Sequence, residues 1–165
     1  MTAMTSRLVL GLLFILLNAC SDREPTYSLT DGSSIRFSEL KGKVIFINYW
    51  AEWCKPCRKE MPELNDFQKA MGDQVRVFAV NYDGVQGTPL AQQAKAMGIE
   101  FSVLNEDPRL QFEATPSGVL PETLIIDQQG DFQRVLLGPQ TVATLQQVLH
   151  TLTKIKGDPQ TNTKH

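Results

Sequence analysis

The sequence predicts an α/β fold in which a central mixed β-sheet is flanked by helices. Two apolar runs of β type, at 44–50 and 75–81, are each followed by a helical pattern, and this alternation is typical of parallel strands joined by helices. A third apolar run, at 124–126, leads through the turn residues 127–130 into a strand pattern at 132–136, which predicts an antiparallel hairpin. A sheet that contains both kinds of pairing is mixed.

The composition agrees with one globular domain. The chain has 165 residues, of which 42% are hydrophobic and 21% are charged, and this suits a single buried core. The net charge is −2, and the Lys and Arg residues are scattered without a basic block. We therefore expect no nucleic acid partner, since such partners require concentrated positive charge. The chain is expected to act as a monomer.

The first 19 residues have the layout of a secretory signal peptide. Arg7 precedes a ten-residue apolar run at 8–17, which is too short for an ordinary membrane-spanning helix. The run ends in Leu-Asn-Ala-Cys at 17–20, a string that resembles a bacterial lipobox, in which cleavage leaves a lipidated cysteine. This resemblance predicts a lipid anchor on Cys20. The alternative is ordinary cleavage near Ala19, which would leave a free thiol.

A short tether and a β-hairpin are expected next. Residues 20–26 would link the anchor to the domain, for which we predict the bounds 27–156. The strand patterns at 27–29 and 35–37 flank the turn-rich stretch 30–34, and this arrangement predicts an N-terminal hairpin that caps the sheet.

The strand at 44–50 ends beside two cysteines, Cys54 and Cys57. A helical pattern begins at the first cysteine, and its apolar face is formed by Met61, Leu64, Phe67 and Met71. The unpaired N–H groups and the dipole of a helix N-terminus favour an anion, so the pKa of Cys54 should be lowered. Lys55 adds positive charge, and Pro56 suits an early helical position because its missing N–H would have no intrahelical partner. Cys54 is therefore the predicted attacking thiolate, and Cys57 is the deeper, resolving thiol.

The middle of the chain supplies further elements. Gly72 is predicted to end the first helix, and Thr88 is the predicted N-cap of a second helix that reaches Met97. A short edge strand is predicted at 101–104 and a short helix at 108–112.

The last helix has an apolar face at helical spacing. Its members are Val142, Leu145, Leu149, Leu152 and Ile155. The polar residues at 157–165 are predicted to form a disordered tail.

The cysteine-containing stretch resembles a known family. Trp-Ala-Glu-Trp-Cys-Lys-Pro-Cys at 50–57 is similar to the active-site segment of thioredoxin-like proteins. Asn48 in the preceding strand and Glu-Met-Pro at 60–62 narrow the resemblance to the bacterial TlpA/ResA group of extracytoplasmic thiol-disulfide oxidoreductases. The resemblance covers 27–155 in the order of elements and implies a thioredoxin-like fold.

The resemblance also implies a proline opposite the cysteines. Residues 118–127 read Gly-Val-Leu-Pro-Glu-Thr-Leu-Ile-Ile-Asp and are similar to the family segment that places a cis-proline before a central strand. Pro121 is the match, with the backbone of Leu120 exposed beside Cys54. Together they would present backbone groups to an extended substrate and keep metal ions from the thiols. Pro116 is the competing candidate, but it lies five residues earlier.

Glu60 has two interpretations. It is either a solvated acid favoured by the helix dipole or, as the resemblance implies, a carboxylate that modulates the thiol pKa values and relays protons. Asn48 would be buried under Cys57 and cannot titrate, which leaves Glu60 as the acid of the motif placed for that work.

Trp53 also has two interpretations. It either packs around the site, as we expect for Trp50, or shapes the exposed surface beside the attacking cysteine. The predicted substrate-binding residues are Trp53, Pro56, Leu120 and Pro121.

A metal site is the main rival interpretation of the cysteine pair. Structural zinc requires four ligands, and beyond Cys54 and Cys57 the chain offers only Cys20, which we assign to the anchor, and the histidines His150 and His165. We therefore expect no metal and no other cofactor.

The predicted function is thiol-disulfide exchange by a lipid-anchored protein that faces the periplasm. Cys54 attacks a substrate disulfide, and Cys57 resolves the mixed disulfide. The Lys-Pro dipeptide between the cysteines and the family branch favour a reductant of protein disulfides, and the resemblance implies a membrane electron donor of the DsbD/CcdA type. The alternatives are a disulfide donor or isomerase, and a non-enzymatic lipoprotein whose cysteine pair senses redox state.

Overall fold

The computed structural model describes residues 24–154 and confirms the predicted α/β class. The signal peptide at 1–19, the anchor on Cys20 and the tail at 157–165 lie outside the described residues. The domain bounds 27–156 stay a prediction, because the described chain stops at residue 154. Within 24–154, no helix has the length and apolar character needed to cross a membrane.

The strands form a small hairpin and a larger sheet. In chain order they are β1 (Tyr27–Ser28), β2 (Ser34–Ile35), β3 (Val44–Trp50), β4 (Val75–Asn81), β5 (Ser102–Leu104), β6 (Glu122–Ile126) and β7 (Phe132–Leu137). The central sheet has the order β5-β4-β3-β6-β7. Strands β5, β4 and β3 pair in parallel, whereas β6 pairs antiparallel with both β3 and β7. The sheet is mixed, as predicted.

Helices pack against the central sheet. They are α1 (Lys55–Met71), α2 (Gly87–Met97) and α3 (Val142–Lys154). Side chains alternate between the two faces along a strand, and buried residues of all three helices share one cluster with Val44, Phe46 and Trp50 of β3. The crossovers β3-α1-β4 and β4-α2-β5 step in the same direction across the sheet, so two connections of the same hand leave both helices on one face.

The hairpin and two 3-10 turns cover the other face. The turns are Phe37–Leu40 and Arg109–Phe112, the second of which takes the place of the predicted short helix at 108–112. Phe37 lies edge-on to three rings at centroid distances of 5.0 to 5.6 Å, namely Tyr27, Phe78 and Phe112. The N-terminal extension therefore buries apolar sheet surface that would otherwise meet water.

The sequence predicts the ends of α1 correctly but not the start of α2. Helix α1 has Cys54 as its N-cap and ends before Gly72, as expected. Helix α2 begins at Gly87, so the prediction of Thr88 as its N-cap is wrong. The Gly87 N–H donates to Oδ1 of Asn105 at 2.9 Å, in the segment after β5. This tertiary partner takes the place of a local cap.

Candidate active site

The two cysteines lie at the N-terminus of α1 and are joined in a disulfide, with Cα atoms 5.3 Å apart. Cys54 is the N-cap residue, and its Sγ accepts the N–H of Cys57 at 3.2 Å. Pro56 lies in the first helical turn, where a missing N–H leaves no intrahelical bond unmade. Cys54 is 3% exposed, whereas Cys57 is fully buried. Cys54 is therefore the sulfur that a substrate can reach.

A cis-proline lies at the same edge of the sheet as the disulfide. The Leu120–Pro121 bond is cis, as the resemblance implies, and it is the one cis bond within residues 24–154, so Pro116 is not the counterpart. Strand β6 begins with Glu122, which pairs with Tyr49 near the end of β3 that leads to the cysteines. Antiparallel pairing therefore brings Pro121 to this end of β3. Half-buried Leu120 packs against the apolar clusters of both faces.

Glu60 is a buried acid for which no ion pair is found among residues 24–154. It is 1% exposed, so the alternative of a solvated carboxylate is wrong. Its Oε2 accepts an Asn48 Nδ2–H at 3.0 Å, and its Oε1 accepts the Gln140 N–H at 2.8 Å. Burial raises the pKa of Glu60 to about 7, although these two hydrogen bonds oppose the shift. Near neutral pH the side chain can therefore hold or release a proton.

The stability of the oxidised protein is expected to fall as the pH rises through the titration of Glu60. The unfolded carboxyl releases its proton near its ordinary pKa of 4.5, whereas the folded carboxyl keeps the proton to about pH 7. The bound proton therefore contributes stability that is complete below the unfolded pKa and is lost as the pH passes the folded pKa. The change amounts to about 3 kcal/mol and is measured by urea unfolding at a series of pH values.

Glu60→Gln is expected to lack this component of the pH dependence, because an amide does not titrate. Glu52→Gln is the matched control, since Glu52 is exposed just before the cysteines and its replacement should leave the slope intact. An unchanged slope in Glu60→Gln would assign the pH dependence to other groups.

The two tryptophans of the motif have different surroundings. Trp50 is fully buried in the core, as expected, whereas Trp53 is 65% exposed. The Trp53 Nε1–H donates to Oδ2 of Asp83 at 2.9 Å, which holds the ring on the surface instead of in the core. Exposed Tyr82 and Val119 add apolar surface on the loops that follow β4 and precede β6.

A second buried carboxylate, Glu122, was not predicted from the sequence. It is fully buried and forms an ion pair with Arg109, which is 5% exposed. The guanidinium carbon of Arg109 lies 3.8 Å from the centre of the Tyr49 ring. The sequence contains a partial signal for a paired acid at this position. An acid directly before the buried strand residues 123–126 requires a partner once it is desolvated. Nothing local identifies Arg109 as that partner.

Residues 24–154 contain no group of three or more His, Cys, Asp or Glu side chains arranged to hold a metal ion. His150 lies exposed on α3, and His165 lies outside the described residues.

Comparison with known proteins places the site in a family. The AhpC/TSA family matches residues 21–135. The thiol-disulfide oxidoreductase ResA of Geobacillus kaustophilus is 31% identical over 137 residues, which cover 81% of this chain and 78% of the relative. The thioredoxin-like protein YneN of Bacillus subtilis is 31% identical over 76% of this chain and 75% of its own. The crystal structure of a DsbF homologue from Corynebacterium diphtheriae has a TM-score of 0.64 at 26% identity, over 78% of this chain and 84% of that one.

The extent of these matches and the disulfide at the start of α1 agree with one assignment. The chain belongs to the AhpC/TSA family and is a ResA-like thiol-disulfide oxidoreductase with a thioredoxin-like fold.

Proposed function

We propose that this chain is a lipid-anchored reductant of protein disulfides that faces the periplasm. The observation that carries the proposal is the placement of the cysteine pair, since both sulfurs lie at the N-terminus of α1 and Cys54 alone has access to the surface. A helix N-terminus stabilises the thiolate that attacks a disulfide. The ResA relatives carry the name thiol-disulfide oxidoreductase, which supports the same chemistry.

Each cycle transfers two electrons from the enzyme to the substrate. The Cys54 thiolate attacks one sulfur of the substrate disulfide, forms a mixed disulfide and releases the other substrate sulfur as a thiolate. Cys57 then loses its proton and attacks Sγ of Cys54, which forms the Cys54–Cys57 disulfide and releases the second substrate sulfur as a thiolate. The released thiolates take up protons, and the enzyme is left oxidised.

Glu60 is proposed to take the proton that Cys57 loses. It follows Cys57 by one helical turn on α1, and its pKa of about 7 makes a carboxylate available near neutral pH. Glu60→Gln is therefore expected to accumulate the mixed disulfide, because the second step slows while attack by Cys54 continues. Rapid acid quenching followed by mass spectrometry measures the adduct, and unchanged rates of both steps would exclude this role.

The proposed substrate surface surrounds Cys54. Trp53 and Pro56 are exposed on one side of it, and the cis bond between Leu120 and Pro121 lies at the same sheet edge. The Pro121 carbonyl accepts the N–H of Gly138 within the sheet at 2.9 Å. The backbone of Leu120, just outside the sheet, is therefore the group that we expect to pair with an extended substrate segment.

The direction of electron flow is tested by the reduction potential of the cysteine couple. A value at or below about −220 mV is expected, as found for cellular reductants, and the dithiol would then be restored by a membrane donor of the DsbD/CcdA type. Equilibration with glutathione or dithiothreitol buffers gives the potential. A value of about −120 to −180 mV would match oxidants and isomerases and would overturn the assignment as a reductant.

The lipid anchor rests on the string at 17–20 and is tested separately. In a bacterial host the full chain is expected to incorporate a labelled fatty acid and to sediment with membranes, whereas Cys20→Ser is expected to do neither. An unlabelled, soluble wild-type chain would favour ordinary signal cleavage.

A further inference from the structure

A charged cluster that is buried except for the exposed carboxylate of Asp107 lies beside the loop that precedes the cis-proline. We define the Arg109 cluster as Tyr49, Asp107, Arg109 and Glu122. Nη2 of Arg109 forms an ion pair with Oε1 of Glu122, and both residues are buried. The Tyr49 Oη–H and the Arg109 N–H both donate to Oδ1 of Asp107, at 2.6 and 2.8 Å. The guanidinium is therefore held by the Glu122 carboxylate and the Tyr49 ring, while Asp107 fixes the backbone at Arg109.

The cluster holds the start of the loop at 117–120 through Glu122. Oε2 of Glu122 accepts the Ser117 N–H at 3.2 Å. The Ser117 Oγ in turn contacts both the N–H and the carbonyl of Val119, at 3.1 and 3.3 Å. Gly118 between them has a φ of +73°, which glycine adopts without strain. From Ser117, which is hydrogen-bonded to Glu122, the chain therefore makes a defined turn and continues directly into the cis-proline.

Fold stability alone does not account for this ion pair. Removing a carboxylate and a guanidinium from water costs about as much as their attraction returns, so apolar side chains of equal volume would stabilise the fold as well. Apolar side chains, however, offer no acceptor for the Ser117 N–H. The pair therefore supplies a specific geometry at the loop.

The Arg109 cluster lies apart from Glu60, the acid that we propose to exchange protons with the thiols. In the pairing of β3 with β6, Tyr49 lies opposite Glu122 and Asn48 lies opposite Thr123. Neighbouring positions point to opposite faces, and Asn48 donates to both Glu60 and Thr123. Glu60 and Glu122 therefore lie on different faces of the sheet.

We propose that Glu122, oriented by Arg109, is a positioning residue that sets the affinity of the enzyme for protein disulfides. The inference rests on the proposed function and names the element that recognises an extended polypeptide, the loop at 117–120. A polypeptide that pairs with the loop backbone requires the loop to be held in place. A small disulfide that contacts only Cys54 has no such requirement.

The test compares two disulfides with the full-length chain in detergent, kept reduced by excess dithiothreitol. Insulin is the protein disulfide, and hydroxyethyl disulfide is the small one. Arg109→Met/Glu122→Leu removes both charges and the acceptor for the Ser117 N–H. KM for insulin is expected to rise about tenfold, the scale of one lost hydrogen bond, whereas kcat for insulin and turnover of hydroxyethyl disulfide change less than about twofold.

Matched variants isolate the hydrogen bond to the loop. Arg109→Met/Glu122→Gln keeps a carbonyl oxygen for the Ser117 N–H and should hold KM for insulin within about twofold of wild type. Ser117→Pro removes the donor at an exposed position, so it tests the same bond without altering the core. It should raise KM as the Leu double variant does, and by more than Ser117→Ala, which loses the Oγ contacts with Val119 but keeps the N–H.

A further control and the contradicting outcomes complete the test. Asn65→Ala breaks two partly buried hydrogen bonds to the loop after α2, and it should destabilise the fold without raising KM for insulin. The proposal is overturned if KM for insulin stays within about twofold of wild type in both Arg109→Met/Glu122→Leu and Ser117→Pro. It is also overturned if KM rises but the reduction potential of the cysteine pair shifts as well. If the wild-type chain oxidises thiols instead, the reductant assignment fails, and the same comparison with reduced insulin still decides the role of the loop.

Discussion

Replacing Cys54 by Ser is expected to abolish disulfide reduction, with the rate constant falling by more than about 10³-fold. A serine hydroxyl stays protonated at neutral pH and cannot form the mixed disulfide. Cys57 cannot take over the attack, because its side chain is fully buried. Oxidation of a stoichiometric amount of reduced enzyme by insulin measures the loss.

Cys57→Ser is the matched control for this experiment. It should keep the attack by Cys54 and stop at the mixed disulfide, which non-reducing electrophoresis detects as a covalent adduct. Full activity of Cys54→Ser would exclude Cys54 as the nucleophile, and an adduct in that variant alone would reverse the two roles. A wild-type chain without turnover would instead favour the non-enzymatic redox sensor.

Replacing Arg109 by Met is expected to destabilise the oxidised protein by about 3 to 5 kcal/mol. The change leaves the fully buried carboxylate of Glu122 without its cation, and an uncompensated buried charge is more costly than the loss of the ion pair itself. The free energy of unfolding in urea measures the effect.

Two comparisons separate this electrostatic effect from simple loss of packing. Arg109→Met/Glu122→Leu should recover most of the lost stability, because no charge remains buried. Arg36→Met breaks the exposed pair of Arg36 with Glu39 and should lower the stability far less than Arg109→Met does, because water screens the exposed charges. If the single and double variants at the buried pair are equally unstable, the loss comes from packing, and the charge of Glu122 does not matter.

The elements that the sequence predicted well are those with local signals. The apolar runs at 44–50 and 75–81 coincide with β3 and β4. The place of Cys54 as the N-cap of α1 follows from the same few residues that form the motif. The cis bond before Pro121 followed from the family resemblance of the surrounding segment.

The features that the sequence mispredicted or left undecided depend on residues distant in the chain. Helix α2 starts at Gly87 because Asn105, 18 positions later, accepts its N–H. The Glu60 carboxylate accepts the N–H of Gln140, which is 80 positions away. No pattern around either residue contains these partners.

The sequence by itself therefore determined the fold class, the thiol pair and the position of Cys54 at a helix N-terminus. Only the tertiary structure decided which acids are buried and what each one contacts: the hydrogen-bond donors of Asn48 and Gln140 for Glu60, and a guanidinium for Glu122. The physical reason is that a cap or a strand is encoded by residues within a few positions. The desolvation of a charge, in contrast, depends on every segment that packs around it.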